Sequence, residues 1–368
     1  MSSTVFIYVL LFTVLVAVAA AAIEWGAQGR IATRKLWTVA IALAVIGPVG
    51  VLAWHEAIQS AAPVPAAAVG ASRVLTRIAV SADDAKQPSI WNRAAESFAA
   101  AATHASEWFA SLPGWSRQAA VVAAILWVLL SLTLAGWLVG GSYYWHRARR
   151  GWHSETLDGV DIDVSPSTGP AVLGLMSHRI VLPVWATAMQ DEYRRLILAH
   201  ECEHISARDP ERLALAIITL VIMPWNIALW WCAARLRRAI ELDCDARVLR
   251  RYPDAKRYGY VLLEVAARGR NSGPLAMPMV SLLRLPSELE GRLRAMSRAK
   301  TLGYRSTLCG AVVALVAVSA AFVAPVPSLS VDRGFADAVP VMTRPQRGPA
   351  IVDHAVGSAV NRAVDRVI

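Results

Sequence analysis

The sequence predicts a mainly α-helical, polytopic membrane protein that carries one α+β domain outside the bilayer. Hydrophobic residues make up 56% of the 368 residues and charged residues only 17%, whereas soluble domains carry about 25% charged residues. The mean hydropathy is +0.43. Four apolar stretches approach the roughly 20 residues that a helix needs to cross a bilayer. This composition excludes a disordered chain and disfavours an ordinary soluble globule.

The four apolar stretches cover residues 5–23, 36–54, 119–140 and 306–325. Indole rings favour the membrane interface, and tryptophans stand at the ends of these stretches: Trp25, Trp37, Trp54 and Trp145. The first stretch ends in small residues that resemble a signal-peptide cleavage site. However, basic residues follow it instead of preceding it, so we interpret it as an uncleaved span.

Basic loops indicate the orientation of the spans, because short cytoplasmic loops are rich in Lys and Arg. Arg30, Arg34 and Lys35 mark the first loop as cytoplasmic, and the run H-R-A-R-R at 146–150 returns the chain to the cytoplasm. We attribute the formal charge of +10 to these signals and expect no direct binding of nucleic acid. The expected order is two spans with a basic loop (1–54), an extracytoplasmic loop (55–118), span three (119–145), a cytoplasmic domain (146–305), span four (306–325) and a short extracytoplasmic tail (326–368).

The cytoplasmic domain is expected to hold any functional site. Its first part alternates apolar and polar residues between Pro and Gly, which predicts two or three short strands. From Asp191 onward the pattern becomes helical. The four cysteines lie in stretches where no disulfide framework is expected.

A metal-binding motif lies in the helical part of this domain. Residues 200–204 read H-E-C-E-H, and side chains four residues apart lie on one helix face. His200 and His204 would therefore share one zinc ion, while Glu201 would act on water at the metal. The alternative is a pair of solvated histidines on a surface helix.

A third metal ligand is expected about 37 residues further on, where E-L-D-C-D begins another helical stretch. Glu241 would complete a two-histidine, one-carboxylate set of the kind found in catalytic zinc sites. Asp245 lies one turn later and would accept a hydrogen bond from a ligating imidazole. By itself, this acid pair would equally suit a solvated helix face.

The apolar segment 213–236 separates the two halves of this predicted site. If it crossed the bilayer, Glu241 and His200 would lie on opposite sides of the membrane and could not bind one ion. We therefore predict that the segment enters the membrane face and returns, turning at residues 223–226, whose sequence is M-P-W-N.

Other polar residues give weaker indications. Asp209 precedes a proline and resembles a helix N-cap more than a site residue. Cys244, like Cys202, is expected to be buried filler. His178, Tyr258 and Tyr260 are candidates for substrate or oxyanion contacts, although packing is the commoner use of such residues.

The runs V-S-P-S-T-G-P-A-V-L-G-L-M-S-H-R-I-V-L-P, A-H-E-C-E-H-I-S-A-R-D, M-P-W-N and E-L-D-C-D-A-R-V-L, with Y-G-Y-V-L-L-E-V-A, together resemble the BlaR/MecR antirepressor type of integral-membrane zinc metallopeptidase. The resemblance covers roughly residues 164–267, and the layout of four spans is also similar. It implies a gluzincin: a cytoplasmic, zincin-type peptidase domain between spans three and four. In this chain, the resemblance implies zinc bound by His200, His204 and Glu241, with Glu201 as catalytic base.

The resemblance also implies a substrate: a cytoplasmic protein such as a transcriptional repressor, or the chain itself. The best-known members carry a penicillin-binding sensor after the last span, and this chain has only its short tail there. The expected partners are this protein substrate and the lipid bilayer of a bacterial cytoplasmic membrane. The main alternative is a non-catalytic membrane signalling or scaffold protein with a structural zinc site.

Overall fold

The computed structural model describes residues 3–27, 32–60, 115–175, 177–269, 288–297 and 304–323, with single residues at 100, 104 and 107. Long helices dominate these ranges. In chain order, the helices are α1 (Ser3–Ala27), α2 (Thr33–Ser60), α3 (Arg117–Ala148), α4 (Val184–Thr187), α5 (Asp191–Ser206), α6 (Asp209–Ile222), α7 (Ile227–Arg251), α8 (Ala255–Gly269), α9 (Glu288–Ser297) and α10 (Tyr304–Val323). The strands are β1 (His153–Leu157), β2 (Val160–Ser165), β3 (Ala171–Leu173) and β4 (Arg179–Pro183).

Three of the described helices are long and apolar enough to cross a membrane: Thr4–Ala27, Thr33–Trp54 and Arg117–Gly151. They coincide with the first three spans expected from the sequence. Helix α10 covers most of the fourth expected span, and the described side chains within it form the apolar stretch Cys309–Ala320. The protein is therefore a mainly helical membrane protein, and a fourth span stays a prediction.

Helix α10 packs closely against α1 through small side chains. Ala19, Ala314 and Ala317 form a buried cluster, and a Cβ atom at Gly310 would collide with the carbonyl oxygen of Ala22. Small residues let helices approach each other in a membrane, where van der Waals packing replaces the hydrophobic effect. This contact joins the two ends of the helical part of the chain.

The segment 213–236 forms a helical hairpin, which confirms the predicted turn at 223–226. Helix α6 ends at Ile222 and α7 begins at Ile227. In the turn, Asn226 Oδ1 accepts the backbone N–H of Leu229 at 3.3 Å, and Asn226 Nδ2 donates to Thr13 Oγ1 of α1 at 2.9 Å. Because the chain reverses here, Glu241 returns to the side of the molecule that holds His200.

The hairpin shares one apolar core with α1 and α2. Phe12, Trp37 and Leu236 are fully buried in this core. The outer side chains of the hairpin are also apolar, with Ile222 51% and Ile227 77% exposed. Apolar surface on this scale is stable against lipid or another apolar partner rather than against water.

A small four-stranded sheet precedes the site helices, where the sequence predicts two or three strands. Its order is β1-β2-β4-β3, with β2 and β4 parallel and the other neighbours antiparallel. Asp158 and Gly159 join β1 to β2 with positive φ angles of 51° and 81°, as a two-residue hairpin turn requires. Ile162, Ile180 and Leu182 of the sheet pack against α5, α7 and α8 in a second core.

Candidate metal centre

Helix α5 carries the H-E-x-x-H motif, as the sequence predicts. Acidic residues occupy its first turn, where negative charge stabilises the N-terminal end of a helix. Leu196, Ile197 and Leu198 are buried and anchor the helix to the second core. His200 and His204 lie side by side further along this helix, and Glu201, the residue after His200, is buried.

The structure brings together the three residues that the sequence predicts as ligands. The Nε2 atoms of His200 and His204 lie 3.2 Å apart, and Glu241 Oε2 lies 3.7 Å from His200 Nε2. Glu241 comes from α7, which packs against α5. The two imidazole nitrogens thus face each other, and the Glu241 carboxylate lies beside the nitrogen of His200.

In each imidazole, the Nδ1 atom faces a hydrogen-bond acceptor. This contact places the ring proton on Nδ1. His204 Nδ1 faces Asp209 Oδ2 at 3.0 Å. His200 Nδ1 lies 2.8 Å from the hydroxyl oxygen of Tyr258, and that hydroxyl donates to Asp245 Oδ1 at 2.7 Å. Each Nδ1 is therefore the donor, so both Nε2 lone pairs point at each other. This donor set fits a divalent metal ion, because neutral imidazoles bind metals through such a lone pair.

The structure modifies the expected role of Asp245. Its Oδ1 atom lies 3.7 Å from His200 Nδ1, which is too long for a hydrogen bond. Tyr258 stands between the two groups and relays the contact. The same geometry places Tyr258, which is 1% exposed, behind His200 on the side away from Nε2 rather than in the position of a substrate contact.

The N-cap interpretation of Asp209 is wrong. The cap position belongs to Arg208, which has a left-handed backbone with φ 54°, and no side chain caps the helix there. This backbone turn directs the Asp209 carboxylate back to His204 instead of to the N–H groups of α6. Asp209 is 1% exposed and orients the imidazole, which is the function that the sequence-based interpretation ranked second.

Cys244 lies closer to the histidines than its interpretation as filler suggests. Its Sγ atom is 3.2 Å from His200 Nδ1, and His200, His204 and Cys244 have potential ligand atoms within 4.8 Å of one another. Thiolate sulfur also binds zinc. Cys244 contacts His200 Nδ1, whereas Glu241 lies beside His200 Nε2, the nitrogen that faces His204. Both residues therefore stay candidates for the third ligand.

Electrostatics favour a positive charge between the two imidazoles. Burial lowers the pKa of His200, but Cys244 and Glu241 outweigh burial and raise that pKa to about 9. Burial likewise opposes the charged form of His204, while hydrogen bonds to Asp209 and Cys244 hold its pKa well above the ordinary value. Burial raises the pKa of Glu201. For Glu241, the Arg292 guanidinium and His200 outweigh burial and hold the pKa well below its usual range.

Arginines that the sequence analysis did not assign to the site surround the acidic groups. Arg292 of α9 pairs with both Glu241 and Asp245. Arg247 pairs with Glu203, Asp243 and Asp209. Arg34, interpreted from sequence only as an orientation signal, lies 3.0 Å from Asp243 and 3.7 Å from Asp209. The N-terminal end of α2, which carries Arg34, therefore lies next to the candidate site.

Two candidates for substrate contacts, His178 and Tyr260, make their described contacts elsewhere than at the histidine pair. His178 Nε2 lies 3.5 Å from Glu211 Oε1. Tyr260 is 56% exposed and contacts Tyr193. It lines an open pocket of about 600 Å³ whose walls come from α5, α8 and α9. The described contacts of these two residues do not include the histidine pair, and their roles as substrate contacts stay predictions.

Replacement of Tyr258 by phenylalanine tests the relay behind His200. We expect zinc affinity to fall about tenfold, the smaller effect typical of losing a group that orients a ligand, because His200 Nδ1 loses its hydroxyl acceptor at 2.8 Å. Competition with a zinc chelator would measure this change. Tyr193→Phe is the matched control, since Tyr193 is outside the site, and equal affinities in both variants would contradict the relay.

Comparison with known proteins assigns the family. No curated protein sequence and no solved structure is detectably similar to the chain. In contrast, the family model described as BlaR1 peptidase M56 matches residues 9–296. This range includes most of α1, all of α2 to α8 and most of α9, and with them every residue of the candidate metal centre. The chain therefore belongs to the BlaR1-type M56 peptidase family.

Proposed function

We propose that this chain is a zinc endopeptidase that acts on a cytoplasmic protein from within the bacterial cytoplasmic membrane. The observation that carries the proposal is the close pair of imidazole Nε2 atoms, with the Glu241 carboxylate beside His200 and a buried glutamate, Glu201, on the same helix. A structural metal site has no use for Glu201. Membership of a peptidase family supports the same reaction class.

In this proposal, His200, His204 and Glu241 hold zinc, which supplies Lewis acidity for a peptide carbonyl and for water. The carboxylate of Glu201 takes a proton as water adds to the carbonyl carbon. It then gives that proton to the leaving amine nitrogen as the C–N bond breaks. Burial raises the pKa of Glu201, which makes its carboxylate a stronger base than a solvated glutamate.

An extended substrate would bind beside helix α5. Strand β3 ends the sheet on one side, pairs with β4 only through its other edge, and contacts α5. Edge strands bind extended peptides through backbone hydrogen bonds. A bound segment would then run past the histidine pair.

The cytoplasmic orientation is inferred from two observations taken together. The first loop is basic, as cytoplasmic loops are, and Arg34 of this region contacts Asp209 and Asp243 of the candidate site. A cytoplasmic site suits a transcriptional repressor or the chain itself as substrate. The family resemblance, rather than any contact in the site, suggests these two substrates.

The test is proteolysis by the full chain purified in detergent, incubated with unfolded reporter proteins and monitored for cleavage of its own chain. We expect cleavage that disappears when a chelator removes the metal and returns when zinc is added back, because the active groups are assembled around the ion. Cleavage that persists in chelator would contradict a metallopeptidase. Bound zinc without cleavage of any reporter or of the chain would favour the scaffold alternative.

A further inference from the structure

Arg292 contacts the candidate metal centre from a helix outside the α5–α7 pair. It lies on α9, and its side chain is 15% exposed. Its Nε atom donates to Asp245 Oδ2 at 2.8 Å, and its Nη2 atom donates to Asp245 Oδ1 at 2.6 Å. This paired contact fixes the plane of the guanidinium group, because the donors of arginine form a rigid fork.

The third nitrogen of the same group is thereby directed at Glu241. Arg292 Nη1 lies 2.9 Å from Glu241 Oε2, the oxygen that is 3.7 Å from His200 Nε2. Glu241 and Asp245 are one turn apart on α7, where two carboxylates repel each other. A single planar cation thus sets the positions of both carboxylates and offsets their repulsion.

We propose that Arg292 is a positioning residue for the metal: it holds the Glu241 carboxylate oxygen beside His200 Nε2, next to the histidine pair. The proposal rests on the zinc site proposed above. The direction in which zinc affinity changes on loss of Arg292 tests the proposal, because a cation near zinc also repels the ion. If orientation outweighs this repulsion, loss of Arg292 weakens metal binding; if repulsion dominates, loss of Arg292 strengthens it.

Helix α9 has other contacts that hold it in place, so a variant at Arg292 is expected to keep its fold. Leu289 and Met296 pack against the second core. Gly259 of α8 leaves room for Leu293, since a Cβ atom there would lie 3.3 Å from Leu293 Cδ2. These apolar contacts are independent of the guanidinium group.

The experiment compares the zinc dissociation constants of wild type, Arg292→Gln and Arg292→Lys, measured on the full chain in detergent by chelator competition. We expect Arg292→Gln to raise the dissociation constant about 10- to 100-fold, the range for groups that orient metal ligands. Arg292→Lys should recover part of this loss, because a point charge can neutralise one carboxylate but cannot fork across two. The matched control is Arg294→Gln, on an exposed residue of the same helix, which should leave the constant unchanged.

Each result decides between defined alternatives. An unchanged or lower dissociation constant in Arg292→Gln would overturn the positioning role while leaving the zinc site intact. A wild type without zinc would instead overturn the proposed function, and this inference with it. If Arg292→Gln fails to fold, Arg292→Lys decides: wild-type affinity overturns the proposal, and weakened affinity supports it.

Discussion

Replacement of Glu201 by glutamine is expected to lower peptide hydrolysis by about 10²- to 10⁴-fold, the range for loss of a general base, while bound zinc remains. Glutamine keeps the size of the side chain but cannot take a proton from water. Glu201 is 6% exposed, so the substitution changes a buried group that bulk solvent reaches poorly. Cleavage rate and zinc content would be measured on the same purified samples.

Glu192→Gln is the control for this substitution. Glu192 lies on the same helix but its side chain is 67% exposed and pairs with Arg257, so both cleavage and zinc should stay at wild-type values. Normal turnover by Glu201→Gln would contradict the proposed mechanism. Loss of zinc in the same variant would show that Glu201 binds the metal instead of acting on water.

Replacement of Glu241 by alanine is expected to lower zinc affinity by more than the roughly 100-fold that loss of an orienting group costs, because it removes a ligand. Cys244→Ala removes the neighbouring thiol and should have a much smaller effect. Zinc content after dialysis would distinguish the two variants. If Cys244→Ala loses zinc and Glu241→Ala retains it, the third ligand is sulfur and the carboxylate assignment is wrong.

Sequence patterns predict those parts of this site that depend on a single helix or a single turn. The pairing of His200 with His204 requires only helical periodicity, and the turn at 223–226 follows from a proline and a capping asparagine in an apolar run. Glu241 could be predicted because a zinc site of this type needs a third ligand. The same requirement excludes a single crossing of the membrane by residues 213–236.

Contacts between distant helices could not be predicted in the same way. Arg292 reaches Asp245 across the packing of α9 on α7, and Arg34 reaches Asp243 from the beginning of α2. Neither arginine stands in a recognisable motif. The error at Asp209 has a local cause, since Arg208 adopts a left-handed backbone that arginine seldom adopts. Cys244 had one available signal, namely its position three residues after Glu241 on the same helix.

X-ray absorption at the zinc edge of the wild-type protein tests the central claim most directly, because it reports the atoms bound to the metal. We expect about one zinc ion per chain, with nitrogen and oxygen ligands at about 2.0–2.2 Å and no sulfur at about 2.3 Å. That spectrum would support zinc held by His200, His204 and Glu241. A sulfur shell would identify Cys244 as the third ligand instead of Glu241. Protein that binds no zinc would contradict the proposed zinc site and the proposed peptidase activity.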